Sequence, residues 1–427
     1  MVAAFLFITF AVLLFIGTPI AICLGISSMG AMILQGAGRP LDIVLGTLPQ
    51  LVSAATSKFV LLAIPFFILG GNIMEKAGIS QKLIALAQAC VGHLRGGVAM
   101  VCVIVACFFA AISGSGPATV AALGLILIPA MIKVGYSPAF SAALMATAGA
   151  IGVVIPPSIT LVVYGSISDT SIGTLFIASV LPGLLMGLAL VVTALIVGRK
   201  SDLEVLPKAT PQQRWKALKE AFWGLMMPII ILGGIYGGVF TPTEAAAVSA
   251  VYGLFVGVFI YKTVKWKEFY KILVDSASTT ATVMLITAAA SVFAYILTRS
   301  RIDVAINEAL INITGGNKII FFIIVNIILL IAGCFLDSTS ALYIFVPLFV
   351  PVANSLGIDL VHLGVVMIVN LAIGLVTPPV GVNLYVACGI AKCSLKEISV
   401  AVLPLIAASL LVLLLITYIP AISLLFI

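Results

Sequence analysis

Residues 151–158 read IGVVIPPS, and residues 373–380 read IGLVTPPV. Each places two consecutive prolines inside a long apolar run. A helical proline removes one N–H and clashes with the carbonyl four residues back, and the residue before it is driven towards extended backbone. Two in succession predict an unwound break. Composition says where such a break would sit. Of 427 residues, 63% are hydrophobic and 8% are charged, against about 25% charged in an ordinary soluble domain. Mean hydropathy is +1.33. Uncharged runs at 1–38, 96–132, 170–198 and 398–427 each exceed the ~20 apolar residues that cross a bilayer as helix. The chain therefore reads as an all-α polytopic membrane protein. Its first run has no basic flank and reads as a retained span rather than a leader.

Other chemistries find little support. The seven cysteines form no CxxC pair and read as small apolar residues. His93 and His362 are too far apart to suggest a metal cluster, and nothing points to nucleic acid. There is no GxxxxGK[ST] for ATP. Ser115, within GSG, would suit an intramembrane protease only beside a histidine, and neither histidine fits, so the chain is not read as an enzyme.

The two opening stretches lie 222 residues apart, and the same offset aligns Pro129 with Pro351, Gly135 with Gly357, and Val180-Leu181-Pro182 with Val402-Leu403-Pro404. This is an internal duplication. The first repeat covers 1–198, with spans near 2–16, 20–38 and 59–75, a re-entrant hairpin at 96–132, a broken helix at 138–168 and a last span at 172–198. A polar linker follows at 199–222. The second repeat covers 223–427, with spans at 223–240, 243–261 and 279–298, a hairpin at 319–353, a broken helix at 360–391 and a last span at 398–427. Five spans per half predict inverted topology. Basic residues divide 16 to 5 between the two faces, Lys200 among the sixteen. The rich face is expected to be cytoplasmic, leaving the linker inside and both termini periplasmic. The stretch 263–277, with Trp266, Phe269, Tyr270 and Leu273 at helical spacing, reads as a helix lying along the interface, with 40–56 as its partner.

Freed backbone groups are costly in hydrocarbon, so a break persists only where protein, water or an ion satisfies them. Carbonyls near 152–155 and 374–377 would suit a dehydrated alkali cation. The half-helix starting near Ser158 or Val380 would offer N–H groups to an anion. The hairpin tips, SGSGPAT at 113–119 and LDSTSA at 336–341, supply hydroxyls and one deep carboxylate, Asp337. Such an all-oxygen environment favours Na⁺ over transition metals. Asp337 also suits the role of N-cap for the helix after it.

With SGSGPAT, IGVVIPPS, LDSTSALYIFVP and IGLVTPPVGVN in one inverted duplication, the chain resembles the large membrane (M) subunit of tripartite ATP-independent periplasmic (TRAP) transporters over essentially its full length. The resemblance implies a multi-pass protein of the bacterial inner membrane that works as an elevator-type, Na⁺-coupled importer. A periplasmic binding protein would deliver an organic acid substrate, of sialic acid or C4-dicarboxylate type with sialic acid slightly preferred. A small four-helix TRAP membrane subunit, expected as a separate chain, would pack against it in the lipid bilayer. Carried onto this sequence, the resemblance assigns Ser113, Ser115, Gly116, Gly152 and Pro156 to one sodium site. It assigns Asp337, Thr339, Gly374, Thr377 and Pro378 to the other, and Ser158, Ser338 and Asn383 to substrate. Hairpins and broken helices would move together against a scaffold of the remaining spans. A stand-alone Na⁺/dicarboxylate symporter is the alternative, and an ion channel is a more distant one.

Overall fold

The computed structural model describes residues 1–199 and 203–427. Lys200 and residues 201–202 of the linker lie outside the described residues. Among the described residues, all regular secondary structure is helical, and seven helices are individually long and apolar enough to cross a membrane. The duplication reappears in the element bounds. The outgoing arms of the two hairpins, Gly116–Lys133 and Ser338–Ser355, coincide at the 222-residue offset. Their incoming arms are Gly97–Ser113 and Lys318–Gly333.

Local chemistry sets each turn. In the first hairpin Gly114 takes a left-handed backbone, φ 62°, that a side chain would disfavour. Ser115 is then extended, and Gly116-Pro117 opens the next helix, where a proline needs no N–H partner. In the second hairpin Asp337 is the N-cap. The broken helices run Pro138–Ala150 then Ile159–Ser168, and Leu360–Gly374 then Val382–Ala391. Both Pro-Pro bonds within the breaks are cis. The second half-helix begins at Val382 rather than near Val380, because Gly381 occupies a left-handed N-cap at φ 55°.

The halves exchange partners. Ile159–Ser168 packs on Ser338–Ser355, and Val382–Ala391 packs on Gly116–Lys133. Likewise Ala63–Lys76 packs on Pro242–Phe255, and Ile20–Gln35 on Trp266–Arg299. Such reciprocal pairing is a two-fold relation between the halves. At the centre Tyr164 is fully buried and donates its hydroxyl to the Leu360 carbonyl at 2.6 Å. Gly364 makes room for that ring, since a Cβ there would lie 2.4 Å from it.

Four expectations need correction. The span count assigns no element between 75 and 96 or between 298 and 319, where helices Ile79–Val91 and Ile302–Thr314 lie. At 13 residues each they span only about 20 Å, too short to register as crossings. The stretch 263–277 is not a separate interfacial helix, because Trp266–Arg299 is one continuous helix of 34 residues. The linker is helical from Pro211, where Thr210 and Gln213 form a capping box ahead of a helix running to Tyr236. Finally, the last helix of each repeat does not join the scaffold. Ile172–Gly198 packs against Gly97–Ser113, Leu360–Gly374 and Leu403–Tyr418, so both terminal helices belong with the hairpins and broken helices. The second of these bends by 47° between Leu395–Ala401 and Leu403–Tyr418.

Candidate functional site

Between this module and the scaffold lies a cavity of about 270 Å³. Both hairpin turns line it, through Ser113, Ser115 and Gly116 on one side and Asp337, Ser338 and Thr339 on the other. Ile159 and Thr160 contribute the start of one half-helix, and Val382 the start of the other. The first residues of four helices thus meet at one cavity: Gly116, Ile159, Ser338 and Val382. Helix N-termini carry unpaired N–H groups and partial positive charge. No lysine or arginine is among the lining residues.

The scaffold supplies a third wall that the sequence reading missed: Gly71, Asn72 and Glu75 from one helix, and Thr279 from another. Asn72 donates to Ser276 at 2.9 Å, tying those two scaffold helices together. Gly71 lets the scaffold approach the first hairpin, since a Cβ there would lie 2.9 Å from the Ile112 carbonyl oxygen. The scaffold helices are apolar enough to look like plain spans, and only the fold turns these four residues inward.

The remaining assigned residues sit behind the cavity wall. Gly152 is buried with its open face on the first hairpin; a Cβ there would lie 3.1 Å from the Ser115 carbonyl oxygen and 3.0 Å from Thr119 Oγ1. Pro156 is buried within its break, and Pro378 is half-buried in the other. Gly374 packs backbone to backbone on Gly333, one turn below the second hairpin tip. Thr377 donates to the Ile373 carbonyl at 2.7 Å. Ser158 is turned away from the cavity, donating to the Val153 carbonyl at 2.6 Å, which Thr160 Oγ1 also reaches at 2.8 Å. Asn383 is fully buried behind Gly116 and donates to the Ala146 carbonyl at 3.0 Å. Of the three substrate candidates, only Ser338 lines the cavity, and its hydroxyl is buried without a partner.

Several carbonyls expected to be free are in use. Val153 accepts from the Ser158 and Thr160 hydroxyls, Gly374 from Thr377, and Leu375 from Asn383. Among the described hydrogen bonds, none ends on the carbonyls of Val154, Ile155, Val376 or Thr377. These are the oxygens the breaks leave open. Asp337 accepts the Ser340 N–H at 3.1 Å and the Ser340 hydroxyl through its other oxygen.

A duplicated bundle whose hairpins and interrupted helices enclose a cavity at the scaffold boundary defines a polytopic membrane transport protein. The chain belongs to the DctM component family of tripartite ATP-independent periplasmic transporters, whose family model matches residues 7–422. It is 44% identical to the isethionate TRAP transporter permease protein DctMQ of Oleidesulfovibrio alaskensis, over 99% of this chain and 66% of that one. It is also 44% identical to the C4-dicarboxylate TRAP transporter large permease protein DctM of Pseudomonas aeruginosa, over 86% of each chain. With the sialic acid TRAP transporter large permease protein SiaM of Vibrio cholerae it shares 38% identity, over 97% and 95%. The fold resembles that of the Alcanivorax borkumensis YdaH transporter, with a TM-score of 0.64 at 14% identity over 93% and 96% of the two chains.

Proposed function

We propose that this chain is the large permease of a tripartite importer in a bacterial inner membrane, carrying an organic acid anion inward together with Na⁺. The observation that carries the reading is the meeting of four helix starts at a cavity lined by no cationic side chain. A carboxylate there would be held by N–H groups and by the hydroxyls of Ser338 and Thr339, and a nearby monovalent cation would complete its neutralisation. The open carbonyls at 154–155 and 376–377, with Asp337 and the turn hydroxyls, are the hard oxygen donors for that cation. Gly152 and Gly374 serve by close approach, bringing breaks and hairpins together rather than ligating through side chains. Relatives named for a sulfonate, a C4-dicarboxylate and sialic acid support an organic anion as the substrate class.

Movement of the hairpin module past the scaffold, as an elevator, fits a boundary crossed by few polar contacts. Lys58 Nζ donates to the Ser166 carbonyl at 2.7 Å, and the Thr287 and Tyr343 hydroxyls meet at 2.7 Å. One elementary charge moving down 100 mV supplies about 2.3 kcal/mol, so an excess of one or two Na⁺ concentrates an anion substantially. The test is reconstitution with a small four-helix membrane subunit and a periplasmic binding protein. Uptake should require both an inward Na⁺ gradient and the binding protein. Equal uptake of free solute without the binding protein would overturn the tripartite reading, and uptake indifferent to Na⁺ would overturn the coupling.

A further inference from the structure

The two sides of the central cavity differ in hydrogen-bonding character. On the module side, no described hydrogen bond takes up the N–H groups of Gly116, Ala118, Ser338 or Thr339, all in first turns of helices that line the cavity. Such groups donate and carry partial positive charge. Asp337 stands on the same side, but Ser340 engages both of its oxygens. The scaffold side presents acceptors. Thr279 gives its one hydroxyl proton to the Asp275 carbonyl at 3.0 Å, so towards the cavity it can only accept. Asn72 donates to Ser276 at 2.9 Å and keeps its side-chain oxygen. Glu75, three residues on and so on the same helix face, is half-buried, and among the described residues its carboxylate has neither a hydrogen bond nor an ion pair. Lys76 beside it is exposed and does not line the cavity.

We propose that Glu75, with Asn72 and Thr279, selects a substrate that carries one acid group and, at its other end, a hydrogen-bond donor, either a hydroxyl or an ammonium. Resting on the organic-anion reading of the same cavity, this selection narrows the substrate class. A ligand bridging the two sides gives its negative end to the helix starts and a proton-bearing group to the scaffold. A dicarboxylate would set its second carboxylate against Glu75, in a space where no lining cationic side chain offsets the repulsion. A fixed like charge is a device of exclusion, acting against the wrong ligand as well as for the right one. An acid with a bare alkyl end is disfavoured for a different reason, because it leaves the scaffold acceptors without the proton they are placed to receive.

Full-length protein, purified with a small membrane subunit, is titrated in Na⁺ with acids of one chain length: butyrate, 4-hydroxybutyrate, 4-aminobutyrate and succinate. Thermal unfolding is the readout, and no binding protein is present, so its own preference does not enter. Wild type should bind 4-hydroxybutyrate and 4-aminobutyrate about tenfold more tightly than succinate, with butyrate between. Glu75→Gln keeps the side-chain shape and removes the charge. It should bring succinate within about twofold of 4-hydroxybutyrate and cancel the advantage of 4-aminobutyrate over butyrate, without lowering the unfolding temperature of the unliganded protein. Thr279→Val, of similar shape without the acceptor, should weaken 4-hydroxybutyrate several-fold and leave butyrate unchanged. Succinate bound as tightly as 4-hydroxybutyrate by wild type, or an unchanged order of preference in Glu75→Gln, would overturn the selection and leave the organic-anion reading standing. No response to any of these acids would overturn both.

Discussion

Asp337 caps the helix Ser338–Ser355 by accepting both the backbone N–H and the hydroxyl of Ser340, while the same carboxylate lines the central cavity. One residue thus holds a structural and an ionic role, and two substitutions separate them. Asp337→Asn keeps an acceptor for the Ser340 N–H and removes the charge. It should assemble normally, with unfolding temperature close to wild type, and lose most Na⁺-dependent uptake. Asp337→Ala also loses the cap, at about 0.5–2 kcal/mol, so it should be both inactive and less stable. Unchanged sodium dependence in Asp337→Asn would remove the carboxylate from the coupling step.

Gly71 and the first hairpin give a test of the module boundary. An alanine at 71 places its Cβ 2.9 Å from the Ile112 carbonyl oxygen, a backbone atom that cannot rotate aside. Gly71→Ala should slow uptake several-fold, because the scaffold would no longer pass closely along the hairpin tip. Gly389→Ala is the control. That site has nothing within 4 Å of a new Cβ, and a helical Gly→Ala change gains up to about 1 kcal/mol. Its uptake should match wild type, with an equal or higher unfolding temperature. Equal slowing in both variants would show that helix propensity, not close approach, governs the effect.

The breaks, hairpins and duplication were legible because prolines, glycines and hydroxyls punctuate otherwise uniform apolar runs. IGVVIPPS and IGLVTPPV locate the two interruptions to within a residue or two, and SGSGPAT and LDSTSA locate the turns. What escaped was direction. Ser158 and Asn383 look like exposed helix-start donors in the sequence, but both turn inward to satisfy backbone carbonyls at Val153 and Ala146. Asn72, Glu75 and Thr279 carry no local signal, since a helix in lipid reveals its inner face only once its neighbours are known. The short helices Ile79–Val91 and Ile302–Thr314 were lost for a different reason, being too short to read as spans and too apolar to stand out from their flanks.

Lys58 reaches across the module boundary to the Ser166 carbonyl at 2.7 Å, near the C-terminal end of the half-helix Ile159–Ser168, with Asp169 at 3.9 Å. A cation there answers the partial negative charge of the helix end. The pairing with Asp169 is solvent-exposed and worth at most about 1 kcal/mol. Lys58→Met should therefore change the distribution of module positions, measured by cysteine cross-linking between residues 55 and 167, while Asp169→Asn should leave it nearly unchanged. Equal effects of the two substitutions would assign the contact to the ion pair instead.

A polar chain runs through the second repeat only. Asn326 donates to Thr417 Oγ1 at 3.2 Å, and Asn370 donates to the Asn326 side-chain oxygen at 2.9 Å, joining the hairpin arm, the broken helix and the last helix. At the 222-residue offset the first repeat carries Ile104, Ala148 and Leu195 in these places. The two hairpins are therefore held differently, the second by buried amides and the first by apolar packing. Asn326→Ala removes one of the two acceptors of the Asn370 side chain, which keeps its bond to the residue 326 backbone carbonyl at 3.0 Å, and so costs about 0.5–1.5 kcal/mol. Asn370→Ala removes the donor itself along with both bonds. The double variant N326A/N370A should then cost less than the sum of the two single changes, and a thermal-unfolding double-mutant cycle reads the difference directly. Strict additivity would mean that the two amides stabilise the bundle separately and that no shared lock fixes the second hairpin.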